Sequence, residues 1–334
     1  MEALYKINKQ ETRIKQCLAG AFRASPALCI VTAIMILDVA GTTFGLATDH
    51  TVITGTPAWV KPLKFGVSSG IYSASLAVVI RETKIWTAAL KIVDFATAAA
   101  LVLEVALINL QAFRHTTSHF NNSTPFDRNV FLVMAIGIAI LWLSAVLVTS
   151  ATMRYQYSSA LWGIVARVGM ALVVLGAGTG AFMVPPSPSQ IAVAQVTHRM
   201  PISGSHTVGA PDGGPGLPVL GWSMEHGDIR IAHFVGIHGL QGLGLLALLF
   251  NVTKVDLRKA EVLIRLGAGI YSGLFFLLLY QALKGEPLLH PDHFVKSIFA
   301  VLFVAAIALS VAAMNSVGTA QPMMYPRSEA RHES

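Results

Sequence analysis

The stretch VFLVMAIGIAILWLSAVLVTSA, residues 130–151, contains no charged side chain and is long enough to cross a lipid bilayer as one α-helix. Seven further apolar runs of similar length surround it. The predicted spans cover residues 26–47, 63–81, 88–112, 129–151, 162–184, 230–251, 262–283 and 293–314. The predicted fold class is therefore all-α, a polytopic membrane helical bundle of about eight transmembrane helices.

The overall composition supports a membrane protein. Hydrophobic residues make up 54% of the chain and charged residues 12%, with a mean hydropathy of +0.62. No ordinary soluble domain has this balance. The net charge of +7 comes from basic residues scattered over short turns, so it does not indicate nucleic-acid binding. The expected partner is the lipid bilayer, and self-association into a homo-oligomer stays open.

The basic residues identify the cytoplasmic side of the predicted bundle. Thirteen of the 24 Lys and Arg residues lie in the segments on one side of the spans, and they are Lys6, Lys9, Arg13, Lys15, Arg23, Arg81, Lys84, Arg154, Lys254, Arg258, Lys259, Arg327 and Arg331. The positive-inside tendency predicts a multi-pass protein of the bacterial inner membrane with both termini in the cytoplasm.

Ten of the eleven histidines fall on the opposite, periplasmic side. They are His50, His115, His119, His198, His206, His226, His233, His238, His290 and His293, and only His332 lies inside. Imidazole is the commonest metal ligand and a frequent haem-iron ligand. This asymmetry is the main functional clue in the sequence.

The chain divides into three predicted parts. Residues 1–25 form a cytoplasmic amphipathic segment, residues 26–316 an eight-span membrane domain, and residues 317–334 a cytoplasmic tail. Spans four and eight are preceded by the similar segments TPFDRNVF (124–131) and HPDHFVKSIF (290–299), each with a proline and then an aspartate able to cap a helix. This similarity favours a 4+4 tandem repeat.

The longest loop, residues 184–228, is predicted to be periplasmic. It contains PPSPS at 185–189 and APDGGPGLP at 210–218, a proline and glycine content that argues against a regular helix. Its histidines and Trp222 supply groups that can fold back on a site. We expect an ordered cap over the outer ends of the spans.

The two cysteines restrict the kind of cofactor. Cys17 and Cys29 sit at the cytoplasmic end, and the sequence has neither a CxxCH motif for covalent haem attachment nor a CxxC pair for a metal cluster. A bound cofactor would therefore be held by histidine, carboxylate or carbonyl groups.

Two ionisable side chains, which are costly to place inside a membrane, are predicted at similar depth. Span six runs inward with its centre near Gln241, and span three runs outward with its centre near Ala100. A rise of about 1.5 Å per residue puts His238 about 4–5 Å and Glu104 about 6–8 Å to the outer side of the midplane. Burial of an ionisable group at such depth costs at least ~2.5–3.5 kcal/mol, so the pair favours a functional site.

Helical spacing extends this site toward the outer loop. One stripe of span three points outward and consists of Glu104, Ile108, Gln111 and His115. On a continuous span six, His233 and His238 would lie about 140° apart with Gln241 between them. They would flank the bundle interior without gripping one small ion together. This geometry suits two separate sites, or one larger cofactor with a second site beside it.

Three segments carry a resemblance to other proteins. At RIAHFVGIHGLQ (230–241), GSHTVGAPDGGPG (204–216) and SHFNNSTPFD (118–127), the chain resembles a set of uncharacterised bacterial multi-span integral membrane proteins. The resemblance covers most of the chain and implies a multi-span membrane fold. It implies no activity and no catalytic residues.

The favoured hypothesis is a b-type haem (heme b) site near the periplasmic face, used in electron transfer or redox chemistry. His233 or His238 would hold the iron, with the second axial position open or filled by His119. Arg230 would pair with the haem propionates, and Gln241 would lie beside the cofactor. The proton relay candidates are Asp38 and Glu104, and the expected partners are a quinone or a periplasmic electron carrier.

Histidines in excess of the haem ligands suggest a second metal. Copper is the expected ion, because imidazole-rich sites favour it over other divalent first-row metals. The candidate ligands are His115, His119, His206, His226, His290 and His293. The HTTSH spacing of His115 and His119 can chelate only if helix three continues that far.

Two alternatives remain open from the sequence. A membrane-embedded zinc hydrolase would use three histidine ligands, with Glu104 or Glu225 as the base. A proton-coupled transporter or channel would use Asp38, Asp94 and Glu104 as its pathway, with histidines as pH-responsive gates.

Overall fold

The computed structural model describes residue 16 and residues 19–317, so most of the predicted N-terminal segment and C-terminal tail lies outside the described residues. The long helices are α1 (Pro26–Thr48), α2 (Val60–Glu82), α3 (Thr87–Phe113), α4 (Pro125–Arg154), α5 (Ala160–Gly178), α7 (Ile229–Ile237), α8 (Gly239–Val252), α9 (Leu257–Leu283) and α10 (His293–Met314). A 3₁₀ segment, Thr179–Met183, follows α5, and the short helix α6 spans Pro188–Thr197.

Seven segments of the described chain are long and apolar enough to cross a membrane: α1, α2, α3, α4, Ala160–Thr197 (α5 with the segment that follows it), α9 and α10. The helices α7 and α8 meet the same test only as a pair, bent by 48° at the break between them. The predicted all-helical fold is confirmed, and its long apolar helices are compatible with a helical membrane bundle. The apolar helices indicate a multi-pass membrane protein in contact with lipid.

Sheet structure in the described chain is limited to two short hairpin-like pairs. The strands β1 (Val52–Ile53) and β2 (Thr56–Pro57) pair antiparallel between α1 and α2. The strands β3 (Thr207–Val208) and β4 (Gly227–Asp228) pair antiparallel just before α7. We call residues 184–228 the cap segment, and the end of the bundle that carries it the cap end.

The cap segment contains one regular helix, contrary to the expectation from its prolines. Its helix α6 begins with a capping box, in which Ser187 Oγ accepts from the Gln190 backbone and the Gln190 side chain accepts from the Ser187 backbone. Pro188 occupies the first turn, where a missing N–H costs nothing. The side chain of Gln190 also bonds the backbone of Gly204 in both directions. These contacts give the cap segment its own internal order.

The break between α7 and α8 corrects the prediction of one straight helix over residues 230–251. Glycines on both sides of the bend let the chain lie directly on α5. A Cβ placed at Gly236 would lie 2.4 Å from Gly176 Cα, and one at Gly239 would lie 2.5 Å from Leu172 Cβ. Sharp helix bends occur at such glycines. The angle expected between His233 and His238 on a continuous helix therefore does not apply.

Asp94 of α3 fixes where α1 begins. Its carboxylate, 1% exposed, accepts a hydrogen bond from Ser25 Oγ and bonds of 3.1 Å from the backbone N–H groups of Ala27 and Leu28. A carboxylate is a strong partner for the unpaired N–H groups of a helix start. Asp94 is thus engaged in joining two spans, which weakens its assignment to a conduction pathway.

The starts of α4 and α10 differ in detail. At α10, Asp292 caps the helix by accepting from the Val295 N–H at 2.8 Å, as its sequence suggests. At α4 the cap is Thr124, whose Oγ1 accepts from the Asp127 N–H at 3.1 Å, while the Asp127 side chain turns toward Gln111 and Arg114. The two helix starts are therefore capped by different residues.

We expect Gly236→Ala to lower the free energy of unfolding by about 1–3 kcal/mol, because the added methyl group overlaps the backbone at Gly176. Thermal unfolding in detergent measures the change. The matched control is Gly244→Ala in α8, where an added Cβ meets no atom within 4 Å. Equal effects of the two substitutions would argue against the close contact.

We also expect Asp94→Asn to destabilise the protein by about 1.5–3 kcal/mol, the usual contribution of hydrogen bonds to a charged group. The control is Thr97→Val one turn further along α3, because Thr97 is fully buried and its hydroxyl has no partner in the described chain. That variant should be neutral or slightly more stable. An Asp94→Asn protein as stable as the wild type would contradict the capping role.

Candidate functional site

A polar site lies inside the bundle, beneath the cap segment. Its central side chains are Lys61 from the first turn of α2, Glu104 from α3, and His119 from the loop between α3 and α4. The Lys61 Nζ lies 2.9 Å from His119 Nδ1, and His119 Nε2 lies 3.5 Å from Glu104 Oε1. We call these three residues the acid–base relay.

The direction of the hydrogen bonds in the relay follows from lysine chemistry. An ammonium group only donates, so Nδ1 of His119 accepts from Lys61. In the neutral ring the proton then sits on Nε2 and faces Glu104. Burial, and then the neighbouring Lys61 ammonium, hold the pKa of His119 well below its usual range. The imidazole is therefore neutral at physiological pH.

Glu104 is the unusual member of the relay. Its side chain is 3% exposed, and neither carboxylate oxygen has a hydrogen-bond partner in the described chain. A buried polar group without a partner costs about 1–3 kcal/mol or more. Buried groups are left in this state mainly where they have a task, such as binding a proton or a ligand.

The loop after α3 is built to hold His119 in place. The helix ends at Phe113, so His115 and His119 do not share a helical face. The His119 ring lies among Phe65, Phe120 and Phe131, with ring centroids 6.0, 6.0 and 6.5 Å away. These three aromatic rings pack around the imidazole and hold its orientation.

One face of α2 supplies further polar groups. Lys61, Lys64 and Ser68 follow the i, i+3, i+7 spacing of one helical face. Lys64 Nζ donates to the Leu220 carbonyl of the cap segment at 2.9 Å, and Ser68 Oγ lies 2.6 Å from His238 Nε2. Within the described residues, neither lysine forms a direct ion pair with an acid. Two cationic side chains without a directly paired acid therefore face the site.

A histidine and a carboxylate organise the cap segment above the relay. Asp212 Oδ2 lies 2.6 Å from His206 Nδ1, and Asp212 Oδ1 accepts from the backbone N–H groups of His206 and Thr207 at 3.0 Å each. The bond to His206 and these further donors lower the pKa of Asp212, against the effect of its burial. Burial lowers the pKa of His206, while Asp212 opposes the shift. The His206 ring packs on Phe120 at 5.1 Å.

A second carboxylate lies at the start of α7, and both of its oxygens accept hydrogen bonds. Asp228 is 1% exposed, and it accepts from Arg230 Nε at 2.9 Å, from Arg230 Nη2 at 2.6 Å and from the Ser223 N–H at 2.8 Å. Arg230 Nη2 also donates to the Gly221 carbonyl at 2.7 Å. Arg230 therefore joins the cap segment to α7, and its charge is neutralised by Asp228.

The deeper polar residues have separate partners. His238, at the bend, bonds Ser68, and the side-chain polar atoms of Gln241 are buried next to it. On α1, Asp38 Oδ1 accepts from Asn109 Nδ2 at 2.5 Å, and Asp38 Oδ2 is buried and unpartnered among the described residues. The predicted relay candidates Asp38 and Glu104 thus have different neighbours.

The remaining histidines do not converge on the site. His115 Nε2 lies 3.2 Å from Asp49 Oδ2 at the surface. His226 is half-buried, and the others are exposed: His50, His198, His290 and His293. Across residues 19–317 no three His, Cys, Asp or Glu side chains group so that they could hold a metal ion together. The predicted haem and copper sites stay predictions.

Sequence reasoning missed Lys61, Lys64, Ser68 and Asp212. The signal for the first three was present in WVKPLKFGVS (59–68), where they share one helical face at the start of an apolar run. No signal in the sequence pointed to Asp212, because its hydrogen bond with His206 depends on the turn that the loop adopts.

Comparison with known proteins gives no assignment. No protein-family model, curated protein or solved structure matches this chain. The function must be argued from the site itself.

Proposed function

We propose that this chain is a proton-coupled membrane carrier of a small anionic solute, with its binding site at the acid–base relay. The observation that carries the proposal is Glu104, a buried carboxylate without a hydrogen bond, next to the neutral ring of His119. A proton that binds Glu104 removes the cost of its buried charge. Proton uptake and release at Glu104 can therefore be linked to a change of state.

The class of solute follows from the charges at the site. Lys61 and Lys64 face it without a paired acid among the described residues, so an anion that enters is attracted to both ammonium groups. Protonation of Glu104 removes a negative charge beside Lys61 that opposes this anion. Anion and proton would thus bind together, which is the basis of symport.

The bend at His238 supports a carrier. Carriers commonly bind their substrates where a membrane helix is interrupted, because the interruption frees backbone groups at membrane depth. In this chain α7 and α8 meet at a 48° bend, and Gln241 lies in the first turn of α8 with its side-chain polar atoms buried. These groups would contact the part of the solute that does not carry the charge.

The finer topology belongs to the same proposal. We count α7 and α8 as one broken span, which makes eight, and place both termini in the cytoplasm of a bacterial inner membrane with the cap segment in the periplasm. The scattered basic residues of the short turns support this orientation. A division into two halves of four spans stays part of the proposal.

Proteoliposomes that contain the full chain and a pH-sensitive dye test the carrier. We expect an inward gradient of one anion from a set of phosphate, sulfate, pyruvate and succinate to acidify the lumen. Glu104→Gln should abolish the proton flux while anion binding, measured by calorimetry, remains. Lys61→Gln should weaken binding itself.

The control for this experiment is Glu225→Gln, which alters an exposed carboxylate in the cap segment and should leave the flux unchanged. Wild-type vesicles that move no protons with any of the four anions, or a Glu104→Gln protein with full flux, would contradict the proposal.

A redox protein with b-type haem is the second candidate. The observation that favours it is His233, half-buried in α7, whose Nδ1 lies 3.3 Å from Thr179 Oγ1. Iron would bind His233 or His238, and a quinone would be the electron partner. The two ring nitrogens of His119 face Lys61 and Glu104. The second axial position of the haem iron would therefore be open. Arg230 is already paired with Asp228, so Lys61 and Lys64 would meet the propionates.

An absorption spectrum of the purified protein separates the two candidates. A haem protein would give a reducible Soret band that His233→Ala or His238→Ala removes or shifts, whereas the exposed control His198→Ala would leave it intact. A colourless protein with anion-dependent proton flux would exclude the haem. A colourless protein with stoichiometric zinc would favour the hydrolase with Glu104 or Glu225 as base.

A further inference from the structure

A tight turn of the cap segment, residues 217–222, lies on the face of α2 that carries Lys64. We call it the cap turn. Its two ends are joined by a 2.8 Å bond from the Leu217 N–H to the Trp222 carbonyl, and the Gly221 N–H donates back to the Leu217 carbonyl at 2.7 Å. The cap turn therefore keeps its shape through its own hydrogen bonds.

Two cationic side chains of the bundle hold the cap turn by adjacent carbonyls. Lys64 Nζ of α2 donates to the Leu220 carbonyl at 2.9 Å, and Arg230 Nη2 of α7 donates to the Gly221 carbonyl at 2.7 Å. Arg230 is itself fixed by the carboxylate of Asp228, to which both Nε and Nη2 donate. In the described chain Lys64 forms no direct ion pair with an acid, and its acceptor is a neutral carbonyl. Of the two bonds, the one from Lys64 is therefore open to exchange for a stronger acceptor.

The backbone of the cap turn is strained beside this bond. Val219 has a φ of +65°, which a β-branched residue rarely adopts. It is also 78% exposed, so packing of its side chain does not impose this conformation. The next residue closes a three-residue turn, because the Leu220 N–H donates to the Pro218 carbonyl at 2.7 Å. Strained backbone persists where its surroundings impose it, and the bond from Lys64 to Leu220 is such a contact.

We propose that the cap turn is a lid over the anion site and that Lys64 is its latch. An anion that reaches Lys64 competes with the Leu220 carbonyl, because an anionic oxygen is a stronger acceptor for an ammonium group than a neutral carbonyl. Loss of the latch bond frees the cap turn to lift from α2, while Arg230 and Asp228 keep it attached to α7. This inference rests on the proposed carrier and adds to it that the solute's own charge controls access to the site.

The far side of the cap turn touches the hairpin between α1 and α2, which offers a way to lock it. A Cβ placed at Gly221 would lie 3.9 Å from Thr56 Cβ, within the range of about 3.5–4.5 Å found in disulfides. The same Cβ would lie 2.6 Å from Thr56 Cγ2, an atom that Thr56→Cys removes. Thr56→Cys combined with Gly221→Cys can therefore form a disulfide that holds the cap turn closed, whatever acceptor Lys64 has.

The first test measures proton flux in the proteoliposomes, in a parent protein with Cys17→Ser and Cys29→Ser so that only the new thiol pair can be oxidised. Oxidation of the Thr56→Cys/Gly221→Cys protein should stop the flux, and reduction of the same vesicles should restore it. The matched control is Thr56→Ser/Gly221→Cys, which carries the same change at Gly221 but a single thiol. Its flux should be the same under both conditions.

The outcomes separate the lid from the carrier. Full flux through the oxidised pair, with the disulfide verified by mass spectrometry, would overturn the lid while the carrier stands. A parent protein without flux for any of the four anions would overturn the carrier, and the lid with it.

The second test follows hydrogen exchange of the full-length protein in detergent, at the backbone N–H groups of Leu217, Leu220 and Gly221. Lys64→Met should speed their exchange by about 10–100-fold, because loss of a hydrogen bond to a charged group shifts a local opening equilibrium by about that factor. Lys61→Met is the matched control, one turn away on the same face of α2, and should leave these three groups as in the wild type.

The same measurement tests the exchange of acceptors. In the wild type, whichever of phosphate, sulfate, pyruvate and succinate drives proton flux should speed exchange in the cap turn. Slower exchange with that anion would overturn the latch. Unchanged exchange in a Lys64→Met protein that is folded by thermal unfolding would overturn it as well, even where the paired cysteine variants fail to fold.

Discussion

The contact between Gly176 of α5 and Gly236 of α7 is the constraint on which the site depends. With no Cβ on either residue, the two backbones touch, and an added methyl group at either position would lie about 2.5 Å from the other chain segment. Close packing of small residues is a main source of helix association in membranes. Here it seats α7 against α5, so that His233 reaches Thr179 and His238 reaches Ser68.

The buried polar groups of the bundle fall into two classes. The carboxylates of Asp94, Asp127 and Asp228 accept hydrogen bonds from neighbouring groups, and each of them links two segments of the chain. Glu104 is buried, and neither of its carboxylate oxygens has a hydrogen bond in the described chain. The first class stabilises the fold, since it satisfies helix ends and loop backbones. The second class keeps a free energy cost that a bound proton or ligand can remove, and this distinction supports the proposal of a site at the relay.

Most of the bundle could be predicted from the sequence, because an apolar run of about 20 residues has few other outcomes. The stripe of Glu104, Ile108 and Gln111 on α3 was predictable for the same reason, and all three are buried. The break at His238 was not, because its cause is a contact with α5, far away in sequence. Lys61 and Lys64 resemble ordinary interfacial anchors at the start of a span. Only the folded chain shows that they turn inward.

The loose attachment of α10 has a consequence for biosynthesis. Of its 22 residues only Val295 is buried, and its main neighbour is α9. Every residue of the relay and of the cap segment precedes it in the chain. Membrane helices enter the bilayer in order as the ribosome makes them, and parts of a chain fold as they emerge. All residues of the relay and of the cap segment have therefore been synthesised, and can begin to fold, before the last span is translated.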